Sequence, residues 1–157
     1  MSPSLRIIYA STSGHTEFVV QTLVSALHDL APDVPVDVRR AEEAAPDDLL
    51  RADALILASG TWNTGGQEGQ LNPHMHALLL ERAAGIDLAG KPMAFISLGD
   101  DRYYFTTRCT EHFLRFMREH GGTQLLPPLI ILNEPYEQAG KIEAWAERLH
   151  RCILRSG

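Results

Sequence analysis

"LRIIYASTSGHTEF", residues 5–18, passes from an apolar run into small and hydroxylated residues and then into a segment with helical spacing. The run from Leu5 to Tyr9 has the length of a strand and is too short for a helix. Ser11, Thr12, Ser13, Gly14 and Thr16 fill the junction with no Lys or Arg among them. Beyond Thr16, the residues Phe18, Val19, Leu23, Leu27 and Leu30 fall along one helical stripe, which stops before Pro32. A strand feeding directly into an amphipathic helix is the first half of a βαβ unit.

The rest of the chain continues that alternation. Three more strand-length apolar runs follow: "ALILAS" from Ala54, "MAFISLG" from Met93 and "LIIL" from Leu129. A fifth, "PVDVR" from Pro35, alternates Val36 and Val38 with polar residues, as an edge or near-edge strand does. Helical stripes separate them: Met75, Leu78 and Leu79; Phe113, Phe116 and Met117 before Gly121 and Gly122; Ile142, Trp145, Leu149 and Cys152. A short helix is expected from Pro46 to Leu50. The pattern predicts an α/β fold, a three-layer doubly wound sandwich on a five-stranded parallel sheet of order 2-1-3-4-5. Ligands of such sheets sit at the carboxyl ends of the strands where the winding reverses, here the loops after strands one, three and four.

The 157 residues fit one domain, 1–157, with no repeat, linker or low-complexity tract to divide it. A net charge of −6 argues against nucleic acid as a partner, because that affinity rests on clustered Lys and Arg. It suits a basic partner protein, or simply solubility. No apolar run reaches the length of a membrane span, and "MSPSLRIIYAS" lacks the pattern of a secretory signal, so a cytoplasmic protein away from the membrane is expected. Cys109 and Cys152 stand outside any C-x-x-C or zinc-like spacing. His74 and His76, two apart on a helix, point to different sides, and no metal site is expected.

The first loop offers hydroxyls and first-turn amides to a phosphate without a cation, although Ser and Thr at a helix start also serve as plain caps. It has neither the G-x-x-x-x-G-K-[ST] pattern of nucleoside-triphosphate loops nor the G-x-G-x-x-G of dinucleotide folds, and is shaped for a phosphate monoester. The second loop, "SGTWNTGGQEGQ" from Ser59 to Gln70, sets Trp62 among Gly, Asn and Thr, where it either seals the core edge or stacks on a flat ligand. The third, "LGDDRYYF" from Leu98 to Phe105, joins carboxylates to two tyrosines. In a helix starting near Arg102, one of Tyr103 and Tyr104 faces inward and the other is left for ligand or solvent.

Taken together, S-T-S-G-H-T after strand one, S-G-T-W after strand three and G-D-x-x-Y after strand four resemble flavodoxin over essentially the whole chain. Between Gln124 and Gly157 there is room only for the last strand and helix, so the resemblance is to the short-chain class. The resemblance implies flavin mononucleotide (FMN) as cofactor, its phosphate held by Ser11, Thr12, Ser13, Gly14, His15 and Thr16. It further implies that Trp62 and Tyr103 sandwich the isoalloxazine ring. Backbone around Ser59, Gly60, Gly99 and Asp100 would meet the ring's polar edge and the ribityl chain, with Thr61, Asn63, Thr64, Gly65, Ser97, Leu98 and Phe105 completing the set.

Two departures stand out. His15 occupies a position where the family commonly has Asn; an unperturbed ring titrates near pH 6.5, so phosphate affinity could depend on pH, unless the ring simply faces solvent. "WNTGGQEGQ" replaces a shorter, more acidic turn, and the peptide expected by resemblance to flip toward the reduced flavin is Asn63–Thr64 or Thr64–Gly65. Such a flip costs less at a unit bordered by Gly. Asp100, Asp101 and Glu68 would oppose a reduced anionic ring and lower its potential, and Arg102 would offset part of this.

The implied function is a low-potential carrier that shuttles single electrons from a flavodoxin or ferredoxin reductase-type donor to redox acceptor proteins, as a monomer. The competing reading on the same scaffold is an FMN-dependent NAD(P)H or quinone reductase. Such an enzyme needs open space over the ring, which Trp62 and Tyr103 would fill. A third reading, a binding module without flavin, would give colourless protein. A phosphoacceptor response regulator is set aside, because Ser11, Thr12 and Ser59 stand where it wants carboxylates.

Overall fold

In the computed structural model, residues 3–64, 67–100 and 108–156 are described. The strand β1 (Leu5–Tyr9) lies between two parallel neighbours, β2 (Val36–Arg40) and β3 (Ala54–Thr64), with Ile7 opposite both Val38 and Ile56. On the far side of β3, beyond a hairpin strand β4 (Gln67–Leu71), comes β5 (Pro92–Gly99), with Ser59 opposite Ser97. The last strand is in two pieces, β6 (Thr123–Gln124) and β7 (Leu129–Leu132), both parallel to β5. Pro127 and Pro128 fall in the gap, where a missing N–H breaks the ladder. Counting the two pieces as one strand, the order is the expected 2-1-3-4-5.

Alternation along the strands divides the apolar side chains between two layers. Leu5, Ile7, Tyr9, Ile56 and Ile96 face one core with α1 (His15–Leu30) and the last helix. Ile8, Leu55, Leu57 and Phe95 face the other, which holds α2 (Pro73–His76) with its π-helical continuation Ala77–Arg82, and α3 (Cys109–His120). Phe95 and Phe113 stack there with centroids 5.4 Å apart. Trp145, on α4 (Ala139–Ser156), closes the first core and donates from Nε1 to the Pro127 carbonyl at 3.0 Å.

Three expectations need correction. The segment after Ser59 is an antiparallel hairpin in which Thr61 faces Leu71 and Trp62 faces Gln70, with a register shift between Trp62 and Thr64. The β-branched and aromatic residues of "TWNT" extend β3 past the parallel sheet, so what reads as a loop is largely strand. Pro46–Leu49 is a single 3-10 turn, one too short to bury a helical face. Leu30 is exposed at the end of α1, whose buried stripe finishes at Leu27. The expected helix start near Arg102 lies outside the described residues.

Two polar contacts fix the edges of this framework. Arg6, buried on β1, places Nη1 3.0 Å from Asp48 Oδ1 and Nε 2.9 Å from Asp37 Oδ2. Asp48 also accepts from the Ala45 amide at 2.8 Å; that bond, with Arg39 and Arg6, holds its carboxyl below the usual range against the opposing effect of burial. In the same layer but toward the opposite edge of the sheet, His112 of α3 sits with Nε2 2.9 Å from the Gly69 carbonyl and so ties the hairpin to the helix. Burial is the main cause that pushes the His112 ring below its ordinary pKa.

Asp48→Ala leaves the buried Arg6 guanidinium with Asp37 as its one carboxylate and the residue-48 carbonyl at 3.2 Å, and urea denaturation should show a loss of about 3 kcal/mol. For His112 the folded state holds the proton less well than the unfolded chain, so its contribution is complete above about pH 6.5 and is lost as pH falls below that value. His112→Gln should therefore flatten the decline of the urea midpoint between about pH 7 and pH 5.

Candidate functional site

The parallel pairing carries β1, β3 and β5 to a common carboxyl edge. Pairing extends one residue past β1, where the Ala10 amide donates to the Ala58 carbonyl at 3.0 Å, and the chain then turns at Ser11. Gly14 closes the turn at φ 91°, in the left-handed region. A Cβ there would touch nothing within 4 Å, so the conformation, and not crowding, calls for glycine. Two first-turn amides of α1, those of His15 and Thr16, have no intrahelical acceptor by the geometry of a helix start.

The hydroxyls of this turn are constrained. Ser11 Oγ accepts from the Gly14 amide at 3.1 Å and from the Glu17 amide at 3.4 Å. Thr12 Oγ1 accepts from Asn72 Nδ2 at 3.1 Å. A hydroxyl carries one proton and two lone pairs, so engagement as acceptor leaves the O–H of each residue to be given outward. Ser13 is exposed and Thr16 is buried at the base of the turn. The turn is therefore a set of neutral donors, suited to an anion.

Neighbouring charges are matched among themselves. Arg40, at the end of β2, pairs with Glu17 and Glu42 and lies over the Tyr9 ring at 5.3 Å. Burial raises the Tyr9 phenol above its usual pKa, with Arg40 opposing the shift. The His15 ring meets Tyr136 edge-on at 5.6 Å, and Tyr136 in turn meets Phe18 at 4.9 Å. That ring thus belongs to an aromatic cluster at the side of the turn, while its amide remains at the helix start.

At the other end of the edge, Ser59 and Ser97 are wholly buried and sit opposite each other, one step below the Gly60–Leu98 pair. Thr61 Oγ1 donates to the Leu98 carbonyl at 3.1 Å, binding the start of the hairpin to β5. Trp62 is 36% exposed, the largest apolar side chain presented at this edge among the described residues. Its indole Nε1 lies 3.0 Å from where a Cβ on Gly60 would stand, so Gly60 lets the indole lie against the backbone. The Gly99 carbonyl accepts from the Asn133 amide at 2.7 Å, and Asp100 is half-buried beside it. Asn63 and Thr64 belong to β3, whereas Gly65, Tyr103 and Phe105 lie outside the described residues.

Several residues at this edge escape the sequence reading. Asn72 is wholly buried between the two ends of the site; its signal is present as an Asn immediately before Pro73, the pairing of an N-cap with a proline at the first helical position. Cys109 donates from Sγ to the Ser59 carbonyl at 3.6 Å, and burial pushes its thiol up, which keeps it protonated and unreactive. Thr110 Oγ1 donates to Ser97 Oγ at 2.6 Å. Neither has a spacing that marks it in the sequence. Among the described residues no group of His, Cys, Asp and Glu could hold a metal ion, and no helix is long and apolar enough to cross a membrane.

Known proteins share this fold. The profile of the Flavodoxin family matches residues 7–150. Probable flavodoxin 2 of Bacillus subtilis (strain 168) is 28% identical over 132 residues, covering 82% of each chain. Among solved structures, oxidised flavodoxin 2 of Bacillus cereus has a TM-score of 0.80 at 29% identity, covering 94% of this chain and 98% of its own. The flavodoxin of Streptococcus pneumoniae TIGR4 has a TM-score of 0.81 at 26% identity, with the same coverage of 94% and 98%. A strand order that reverses at β1, a donor-lined turn after β1 and an exposed indole near the end of β3 are thus found in a chain that belongs to the flavodoxin family, flavin-dependent electron carriers rather than enzymes.

Proposed function

We propose that the cofactor is FMN, lying along the carboxyl edge with its phosphate in the turn Ser11–Thr16 and its ring against Trp62. The observation that carries this reading is the enforced donor character of Ser11 and Thr12, whose oxygens already accept three hydrogen bonds between them. A phosphate offers only acceptors, and the helix start adds amides and the positive end of the helix dipole. The residues present fit the group: Gly14 leaves the space in front of the turn clear, and Gly60 leaves the indole free to lie flat. The expected second ring partner is Tyr103, and Phe105 and Gly65 are expected to complete the set; all three lie outside the described residues.

Bound flavin supplies one- and two-electron redox chemistry, and the chain decides which steps are favourable by packing, hydrogen bonds and field. Asp100 at the edge opposes added negative charge, and Asp101 and Glu68 are expected to add to that opposition. One such charge contributing about 1 kcal/mol lowers a one-electron potential by about 40 mV. Arg40 is held by Glu17 and Glu42 and so does little to relieve that opposition. The reading is of a low-potential carrier, monomeric and cytoplasmic, that takes electrons from a reductase-type protein and passes them to redox acceptors. The net charge of −6 favours basic docking faces on those partners. A reductase that turns over NAD(P)H or a quinone is disfavoured by aromatic cover over the ring.

Mixing apoprotein with FMN should give a yellow complex of one cofactor per chain with quenched flavin fluorescence and no steady NAD(P)H oxidation; colourless protein after gel filtration would overturn the reading. Trp62→Ala should weaken FMN about tenfold and restore part of the fluorescence. Electron delivery to a basic acceptor protein should slow as ionic strength rises.

A further inference from the structure

Asn72 is wholly buried, and all four of its hydrogen-bonding groups are used. Its amide donates to Ser59 Oγ at 3.0 Å and its carbonyl accepts from the His76 amide at 2.9 Å. Its Oδ1 accepts from the His74 amide at 2.9 Å, capping α2, and its Nδ2 donates to Thr12 Oγ1 at 3.1 Å. The orientation of the side-chain amide follows from the partners. A backbone N–H can only donate, so Oδ1 must face His74 and Nδ2 must face Thr12.

We propose that Asn72 is a positioning residue for the phosphate end of the cofactor site: by donating to Thr12 it turns the Thr12 hydroxyl proton outward, toward the anion. The inference rests on the FMN reading and adds to it a residue that touches no cofactor atom. A threonine hydroxyl on a turn otherwise rotates freely and gives its proton to whichever acceptor is near, the backbone included. The Asn72 amide occupies a lone pair of Oγ1 and so selects the rotamers in which the proton points away from the protein. The energetic cost of that orientation is met on folding, before any phosphate arrives, which is the gain that preorganisation brings to binding.

Asn72 also reaches the ring end. Ser59, which accepts from the Asn72 amide, donates in turn to the Gly60 carbonyl at 2.8 Å, and the Trp62 indole lies against Gly60. One buried residue therefore sets the phosphate turn and the strand end beneath the indole in fixed relation. The backbone bonds of that link survive any side-chain substitution, so the contact to Thr12 can be removed separately.

The test compares FMN with riboflavin, which has the same ring and no phosphate. Asn72→Ser keeps an N-cap oxygen for His74 but is too short to reach Thr12; Asn72→Asp keeps shape and cap but presents an acceptor that draws the Thr12 proton inward. FMN dissociation constants, read by fluorescence quenching, should rise about tenfold in Asn72→Ser and further in Asn72→Asp, while riboflavin changes by less than about threefold. Thr12→Val should lose a similar factor for FMN, and adding Asn72→Ser to it should lose no more than about twofold again. Equal weakening of FMN and riboflavin would mean a purely structural role and overturn the proposal, as would unchanged FMN affinity or additive losses in the double variant. Should Asn72→Ser fail to fold by circular dichroism, Asn72→Asp and its double with Thr12→Val give the same comparison. Wild-type protein that binds neither flavin overturns the cofactor reading and this proposal with it, whereas wild-type binding with unaffected variants overturns the proposal alone.

Discussion

Pairing of β1 on both of its edges is the constraint from which the site follows. Leu5 to Tyr9 are buried without exception, and their ladder to β2 on one side and β3 on the other reverses the direction in which the chain winds. The crossovers on either side of that reversal leave by opposite faces of the sheet, which opens a crevice at the carboxyl edge. The first residues past β1 therefore line it, and they do so at the start of a helix whose amides point the same way. No separate device is needed to aim the donors. Loss of the strand's apolar run would remove the site together with the core.

The turn proposed to hold the phosphate carries no cation, which has a physical consequence. A guanidinium beside the turn would bind phosphate more strongly but would also place a positive charge near a redox centre and stabilise its reduced, negative form. This chain uses Arg twelve times to Lys twice, yet keeps its described guanidiniums at β2 engaged with Asp37, Asp48, Glu17 and Glu42. In the proposed site, binding then rests on many neutral donors of fixed direction, each contributing modestly, and the directions become as important as the number.

How much of this can be read from the sequence depends on how local the physics is. The five strands, their order and the two helical layers follow from periodicity, because burial on both faces of a parallel sheet leaves continuous apolar runs such as "RIIY" and "FISL". The donor turn and the exposed Trp62 are likewise local signals. The β3–β4 hairpin is less legible: Gly, Gln and Asn dominate its residues, and its tie to α3 runs from His112 to the Gly69 carbonyl, a contact that no local pattern announces. Asn72 is legible as a cap before Pro73, but its partners, like those of Cys109 and Thr110, are legible only after folding. Each acts on a residue at least thirteen positions away along the chain, so no spacing rule reveals the pairing. Tyr136, sixty-odd residues past the hairpin, is likewise brought to His15 only by the docking of α4 on α1.

These distant residues share one property that bears on electron transfer. Ser59, Asn72 and Ser97 are wholly buried, Cys109 with them, and their hydrogen bonds join α2, β3, β5 and α3 under the site. In a low-dielectric interior such bonds are strengthened, and breaking one leaves a costly unpaired group, so the floor has few alternative arrangements. A carrier exchanges electrons well when the polar groups around its cofactor need not reorient as charge changes, the same preorganisation that favours charge development in enzyme sites. The floor supplies that stiffness below. The hairpin above it is joined to the body through Thr61 and His112. The division of labour is a consequence of where the apolar packing stops: β3 is buried through Gly60, and the Trp62 indole two residues on is exposed.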